Sequence, residues 1–462
     1  MTKRWLKLAA VPIALSLVAA ACGDDDSDSS SDGTEAPAET EASDGTDAAA
    51  DDGAAMDFGG ADIVLTGPER DDPSLAGIQA ALDVWNERVN ANAVVSGDAD
   101  WEANINTQVE GGNPPDISFF PQPGKLKDFA ESGSILPLPD DVSATVDEFW
   151  GEGFQVDGQS RDGVQYGVPA KTDLKSIVWY NPARFEADGY TVPTTYDEFV
   201  ALVDEIAAAG GAKPLCVGIE SGQATGWAYT DWTEEMVLRQ HGTDVYDQWV
   251  DHSIPFNDPQ IVESMQTVSD LWTDDNVFAA GGTIAATNFG DNATPLLDGD
   301  CYMHRQANFF ASFFPEGTAF ADGTEEAIDV FYFPDINGDR PVLTAGIIAA
   351  AFNDRPEVWD LMNYLATAEY AENRQIAQAE FQGGSLSGFL SGAQGQDPSI
   401  YLPLEQSFLD ILASSASSRF DGSDLMPADV GAGTFWSEGT SLVNGDQDAQ
   451  TAADNIEASW PS

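Results

Sequence analysis

Between residues 62 and 120, short apolar runs alternate with stretches of helical period, and this alternation limits the fold more than any other feature. Asp62-Ile63-Val64-Leu65 reads as a first strand. Ile78, Leu82, Trp85 and Val89 then recur at about 3.6-residue spacing, with Ser74 placed to cap their helix. Ala93-Val94-Val95 reads as a second strand. Trp101 to Val109 reads as a second helix, ended by Gly111-Gly112, and Asp116 to Phe120 as a third strand. A β-α-β-α-β order predicts a mainly parallel, doubly wound α/β sheet. Ligands of such sheets lie beyond the C-terminal strand ends, where Glu69, Arg70 and Pro121 to Lys125 fall.

A second unit of the same kind starts near residue 170. Thr195-Tyr196-Asp197-Glu198 forms a capping box, and the helix it opens carries Phe199, Leu202, Val203 and Ile206 on one face. Leu215 to Ile219 reads as a buried strand. Asp258 starts another helix, with Ile261, Met265, Val268 and Trp272 inside, and Pro356 stands near the start of a helix over Glu357 to Ala368. No repeat of roughly 20–50 residues is present, which excludes a solenoid. The roughly 400 residues beyond the N-terminal segment exceed one hydrophobic core, so two domains are expected.

The N-terminus reads as an export signal over 1–21. Lys3, Arg4 and Lys7 precede an apolar run over 8–21 that is too short to span a bilayer. The run ends Val18-Ala19-Ala20-Ala21-Cys22, small residues before a cysteine. This resembles a bacterial lipobox, with Ala19 where leucine is usual, and implies lipidation of Cys22. The alternative is an ordinary secreted protein with an incidental cysteine. Residues 23–57 hold 13 acids and no bases among Ser, Thr, Gly and Ala. Such a segment cannot bury apolar surface, so 22–58 is expected to be a disordered acidic tether.

Acids outnumber bases 79 to 18, for a net charge of −61. The field repels phosphate backbones and excludes nucleic-acid binding. Most of the acidity lies in the body, and adaptation to a salty exterior fits it. Three Cys and three His leave little room for a zinc cage. With Cys22 lipidated, Cys216 and Cys301 pair without remainder in an oxidising compartment. Two free buried thiols are the alternative.

Enzyme motifs are scarce. The chain has no P-loop, no Gly-x-Gly-x-x-Gly, no His-Glu-x-x-His and no Gly-x-Ser-x-Gly. Gly384-Ser385-Leu386-Ser387-Gly388 has the wrong spacing for a nucleophile elbow and reads as a loop. His241, His252 and His304 are scattered and read as surface or packed residues. Asp335 to Asp339 begins like a calcium loop, but its twelfth position is Gly346 rather than Glu, so a hairpin turn is expected. Neither metal nor cofactor is expected.

Aromatics with polar neighbours carry more. Trp227, Tyr229, Asp231 and Trp232 fall within seven residues. Rings stack on the C–H faces of a sugar while Asp, Asn, Gln and Arg bind its hydroxyls. Core filling is the alternative for either tryptophan. Arg305-Gln306-Ala307-Asn308-Phe309-Phe310 and Arg419-Phe420-Asp421-Gly422-Ser423-Asp424 show the same mix. Surface ion pairs are the alternative for Arg305 and Arg419.

Tyr166-Gly167-Val168-Pro169 followed by Val178-Trp179-Tyr180-Asn181 resembles the first inter-lobe crossing of family 1 bacterial extracellular solute-binding proteins, the maltose-binding-protein-like receptors of ATP-driven importers. More specific runs are similar to the alpha-glucoside-binding branch: Lys171 to Ser176, Gly218 to Gly222, Trp249 to Pro259, Cys301 to Gln306 and Arg419 to Pro427. The resemblance implies a two-lobed type II periplasmic-binding-protein-like α/β fold, each lobe a mainly parallel sheet flanked by helices, with the ligand cleft between them. It puts lobe one at 59–170 plus 303–345 and lobe two at 171–302 plus 346–462, with crossings near 169–174, 300–304 and 344–348. The implied ligand set is Glu69, Arg70, Lys171, Asp173, Trp227, Asp231, Trp232, Arg305, Gln306, Gly346, Arg419, Asp421 and Asp424.

The function implied is binding without chemistry. A monomer on the outer face of the cell membrane, or in the periplasm, captures a sugar and hands it to a membrane permease. A polyol or peptide receptor, a secreted carbohydrate-active enzyme and a structural lipoprotein are the alternatives.

Overall fold

The computed structural model describes residues 56–461 except 416, so the signal peptide, Cys22 and most of the tether lie outside the described residues. Phe58, expected to end the tether, belongs to the body. Its ring stacks on Trp85 at 6.1 Å and its N–H donates to Val89 O at 2.9 Å.

Among the described residues there are eleven strands: β1 (Ala61–Gly67), β2 (Ala91–Gly97), β3 (Ile117–Phe120), β4 (Gly167–Leu174), β5 (Ile177–Tyr180), β6 (Lys213–Cys216), β7 (Val277–Phe278), β8 (Cys301–Arg305), β9 (Asp329–Tyr332), β10 (Val342–Ala351) and β11 (Ser418–Phe420). They form two sheets. One runs β11-β10-β3-β1-β2 with β4 also on β10; the other runs β7-β6-β8-β5-β9. The expected β-α-β-α-β unit is present: β1 pairs in parallel with both β2 and β3. Its first helix is Asp72–Val89. Its cap is Asp71, not Ser74: Asp71 is extended and accepts from Ser74 N, and Pro73 fills a first-turn position where an N–H is not needed. The Thr195–Glu198 capping box opens Tyr196–Ala209 as expected.

Period-2 alternation puts each sheet between two cores. On β5, Val178 and Tyr180 face one core while Ile177 and Trp179 face another. On β10, Ile347, Ala349 and Ala351 join the core under the helices Asp72–Val89 and Pro356–Leu365, while Ile348 and Ala350 face Trp101 and Phe120. The result is a two-lobed α/β fold.

β4 and β10 carry the chain between lobes, and a third passage follows the helix Ala368–Phe381, from Tyr370 in the first-lobe core to Leu386 in a second-lobe core. Val168 and Ala170 of β4 lie in the first-lobe core and Leu174 in a second-lobe core. β10 runs the other way, from Val342 and Leu343 in second-lobe cores to Ile347 in the first. The two strands are antiparallel neighbours, and their register slips between Ile347 and Ile348, leaving Ala170 as a bulge.

The strand pairing corrects the lobe division. Residues 303–345 include β9 and most of β8, both paired antiparallel to β5 in the second sheet. Residues 346–351 of β10 pair with β3 and β4 in the first sheet, and the helices Pro356–Leu365 and Ala368–Phe381 pack on the first-lobe core. The expected crossing at 300–304 is β8 itself, inside the second sheet. Local pattern shows that a strand exists but not which strand it pairs with, and here the pairing is long-range. The expected hairpin at 335–339 is likewise a turn between β9 and β10, which lie in different sheets.

Cys216, ending β6, and Cys301, opening β8, are bridged, with Cα atoms 5.5 Å apart. His304 on β8 is buried and donates from Nδ1 to Cys216 O at 2.9 Å. Burial holds its imidazole down to about 4, hence neutral.

Candidate functional site

Loops from both lobes and the crossing strands line a cavity of about 280 Å³. This is near the lower end of the roughly 300–1,000 Å³ common for small-molecule sites. The loop after β1 brings Glu69 and Arg70, the crossing strand β4 brings Lys171 and Asp173, and β10 brings Gly346. A Cβ on Gly346 would meet Lys171 O at 2.5 Å, so glycine lets the two crossing strands close up. From the second lobe come Trp227, Asp421 and Asp424. Eight of the thirteen expected residues therefore meet at this cavity.

Trp227 opens the helix Trp227–His241 and is the centre of an aromatic wall. Its ring lies 5.0 Å edge-on from Phe289 and 6.1 Å from Phe309. Polar groups line the rest. Lys171 Nζ donates to Glu69 Oε1 at 3.0 Å and lies 3.4 Å from Asp173 Oδ1. Arg374, from the helix Ala368–Phe381, also donates to Glu69 Oε1 at 2.7 Å. Burial alone would raise the Glu69 carboxyl, but Arg374 and Lys171 outweigh it and hold it at about 2. Arg70 donates to Ser221 Oγ across the two lobes at 3.3 Å.

The other five expected residues stand off the cavity. Asp231 is buried behind the wall, accepting from Lys175 at 2.7 Å and Arg305 at 3.2 Å. Arg305 is committed to Asp231 and Glu235 and is 3% exposed. Trp232 follows Trp227 by five residues, which at about 100° per residue turns it off the cavity face into the core. There it packs edge-on against Trp272 at 5.6 Å and Phe333 at 5.5 Å. Gln306 Oε1 accepts from Ala307 N at 2.8 Å. Arg419 lies on the short edge strand β11 and pairs with Asp247 at the surface, as the alternative reading had it.

The cavity also holds residues outside that set. Gln122 and Lys175 stand within runs the sequence singled out, after the third strand and in Lys171 to Ser176; Phe309 stands in Arg305 to Phe310. Phe289 and Trp436 carried no local signal. Asp231, Glu234 and Asp421 bring three carboxylates within 4.8 Å of one another, the one metal-like cluster among the described residues. The ammonium of Lys175 bonds two of the three and takes the cation's place.

A family model for bacterial extracellular solute-binding proteins matches residues 70–372. The osmoprotective compounds-binding protein GgtB of Synechocystis is 37% identical over 396 residues, 83% of this chain and 89% of that protein. The alpha-glucosides-binding periplasmic protein AglE of Rhizobium meliloti is 33% identical over 423 residues, 88% of each chain. A solved structure connected with xylan utilization by the thermophilic Caldanaerobius polysaccharolyticus shares the fold. Its TM-score is 0.73 at 19% identity, over 86% of this chain and 99% of that one. Members of this family bind solutes and are not enzymes. Sequence match, two-lobed fold and an inter-lobe cavity agree: the chain belongs to the bacterial extracellular solute-binding proteins.

Proposed function

We propose that the protein is the lipid-anchored sugar receptor of an ATP-driven importer, acting as a monomer on the outer face of the membrane. It takes an alpha-glucoside or similar small sugar. The observation that carries this reading is the two-sided cavity. Trp227, Phe289 and Phe309 form an apolar wall, while Glu69, Arg70, Lys171 and Asp173 bring charged hydrogen-bonding groups. A pyranose ring has matching halves, C–H faces and a hydroxyl edge. A linear polyol has no such flat apolar face.

The solutes for which AglE and GgtB are named support an alpha-glucoside or an osmoprotective compound. Trehalose and sucrose are both at once. Lobe closure about β4 and β10 adds contacts from the second lobe and shifts the population toward the closed form. That form then docks on a permease encoded elsewhere. The lipobox-like run ending at Cys22 supports the anchor.

The test is thermal unfolding of the purified mature protein with trehalose, sucrose, maltose, palatinose, glucose, sorbitol and a dipeptide mixture. Stabilisation by one or two alpha-glucosides, recovered uncleaved, is expected. A shift with dipeptides alone, or with no sugar, overturns the assignment.

A further inference from the structure

The segment between β4 and β5 holds a buried cation that the sequence did not place in the site. Lys175 is the first residue after β4, with its side chain 5% exposed. Its backbone N–H donates to Leu343 O at 2.9 Å, tying one crossing strand to the other. Its ammonium donates to Asp231 Oδ1 at 2.7 Å and to Asp421 Oδ2. It also lies 5.5 Å from the centroid of the Trp227 ring.

Asp421 is no ordinary partner. It caps the helix Gly422–Leu425, accepting from Asp424 N at 2.9 Å and from Ser423 Oγ at 2.8 Å. Glu234 steadies the same turn, accepting from Gly422 N and Ser423 N at 3.0 Å each. The turn carries Asp424 to the cavity wall. One ammonium thus holds both second-lobe features that meet the ligand at this end, the Trp227 ring and the Asp424 turn, against the crossing segment. No other cation bonds Asp421 among the described residues.

We propose that Lys175 is the positioning residue of the sugar site, fixing Trp227 and the Asp421–Asp424 turn relative to the crossing strands. The proposal rests on the sugar-receptor reading above. It requires more of Lys175 than charge balance. A merely structural lysine is replaceable by any change that leaves no buried charge unmatched. A positioning lysine is not.

The experiment uses the mature protein and titrates trehalose, sucrose and maltose by calorimetry, with melting temperature read in parallel. Wild type is measured first; binding of none of the three removes the receptor reading and this proposal with it. K175M leaves buried carboxylates short of a cation and is expected to lose both stability and affinity. K175M/D231N removes one charge of each sign, and Asp231 does not line the cavity. Its melting temperature is expected to recover only part of the way from K175M toward D231N, because Asp421 keeps no cation, while the dissociation constant for the bound sugar stays at least tenfold above that of D231N. A double variant with both stability and affinity restored overturns the proposal. K175R keeps the charge and covers the case in which the double variant fails to fold. The larger planar head displaces the turn or the ring, so about tenfold weaker binding is expected, and wild-type affinity overturns the proposal.

Discussion

The ammonium of Lys171 sits 3.0 Å from Glu69 Oε1, so a residue of the crossing strand β4 is tied to the loop that follows β1. Arg374 makes the same oxygen a double acceptor. Glu69 is held at about 2 against an ordinary 4.5, so it contributes stability in full above pH 4.5 and loses it as pH falls toward 2. The shift corresponds to about 3 kcal/mol. E69Q is expected to be less stable at neutral pH by about that amount and to show a flatter decline between pH 5 and 2. Urea unfolding at several pH values checks it.

The two neighbouring tryptophans should separate cleanly. Trp227 lines the cavity, so W227A is expected to weaken sugar binding about 10- to 100-fold, as loss of a stacked ring costs about 1–3 kcal/mol. Trp232 is buried in the core, so W232A is expected to cost about 3–5 kcal/mol of stability. Calorimetric titration and denaturant unfolding of both variants distinguish the roles.

The Cys216–Cys301 bridge closes a loop of 85 residues' separation. In the chain-entropy model that constraint is worth about 4–5 kcal/mol. C216S/C301S is expected to unfold at clearly lower denaturant, while the oxidised wild type shows no free thiol among these two by alkylation mass spectrometry.

Arg419 is expected to matter little. Its pair with Asp247 is partly exposed and away from the cavity. R419A should change stability by no more than about 1 kcal/mol and leave the sugar dissociation constant as it is.

The alternating elements of the first lobe were legible because each rests on local pattern: Ile78, Leu82, Trp85 and Val89 share a helix face, and all are buried. The lobe division was not, because β8 and β9 join β5 by pairings between residues far apart in sequence. The site divides the same way. Glu69 and Arg70 follow a recognisable strand and reach the cavity. Trp232 and Arg305 have suitable chemistry but point into a core and an ion-pair network, and nothing in composition distinguishes that from a ligand contact. Phe289 and Trp436 arrive through tertiary packing and had no local signature.

The pairing of β4 with β10 has a mechanical meaning. These two crossings sit in one ladder, from Leu174 opposite Thr344 to Gly167 opposite Ala350. A two-strand ribbon bends easily across its thin direction and resists shear along its length, since shear would break the ladder while bending need not. The bulge at Ala170 puts the compliant spot within the ribbon. The two adjacent crossings thus flex as one leaf, like the spine of a book, and a bend there leaves the pairs of this ladder in place.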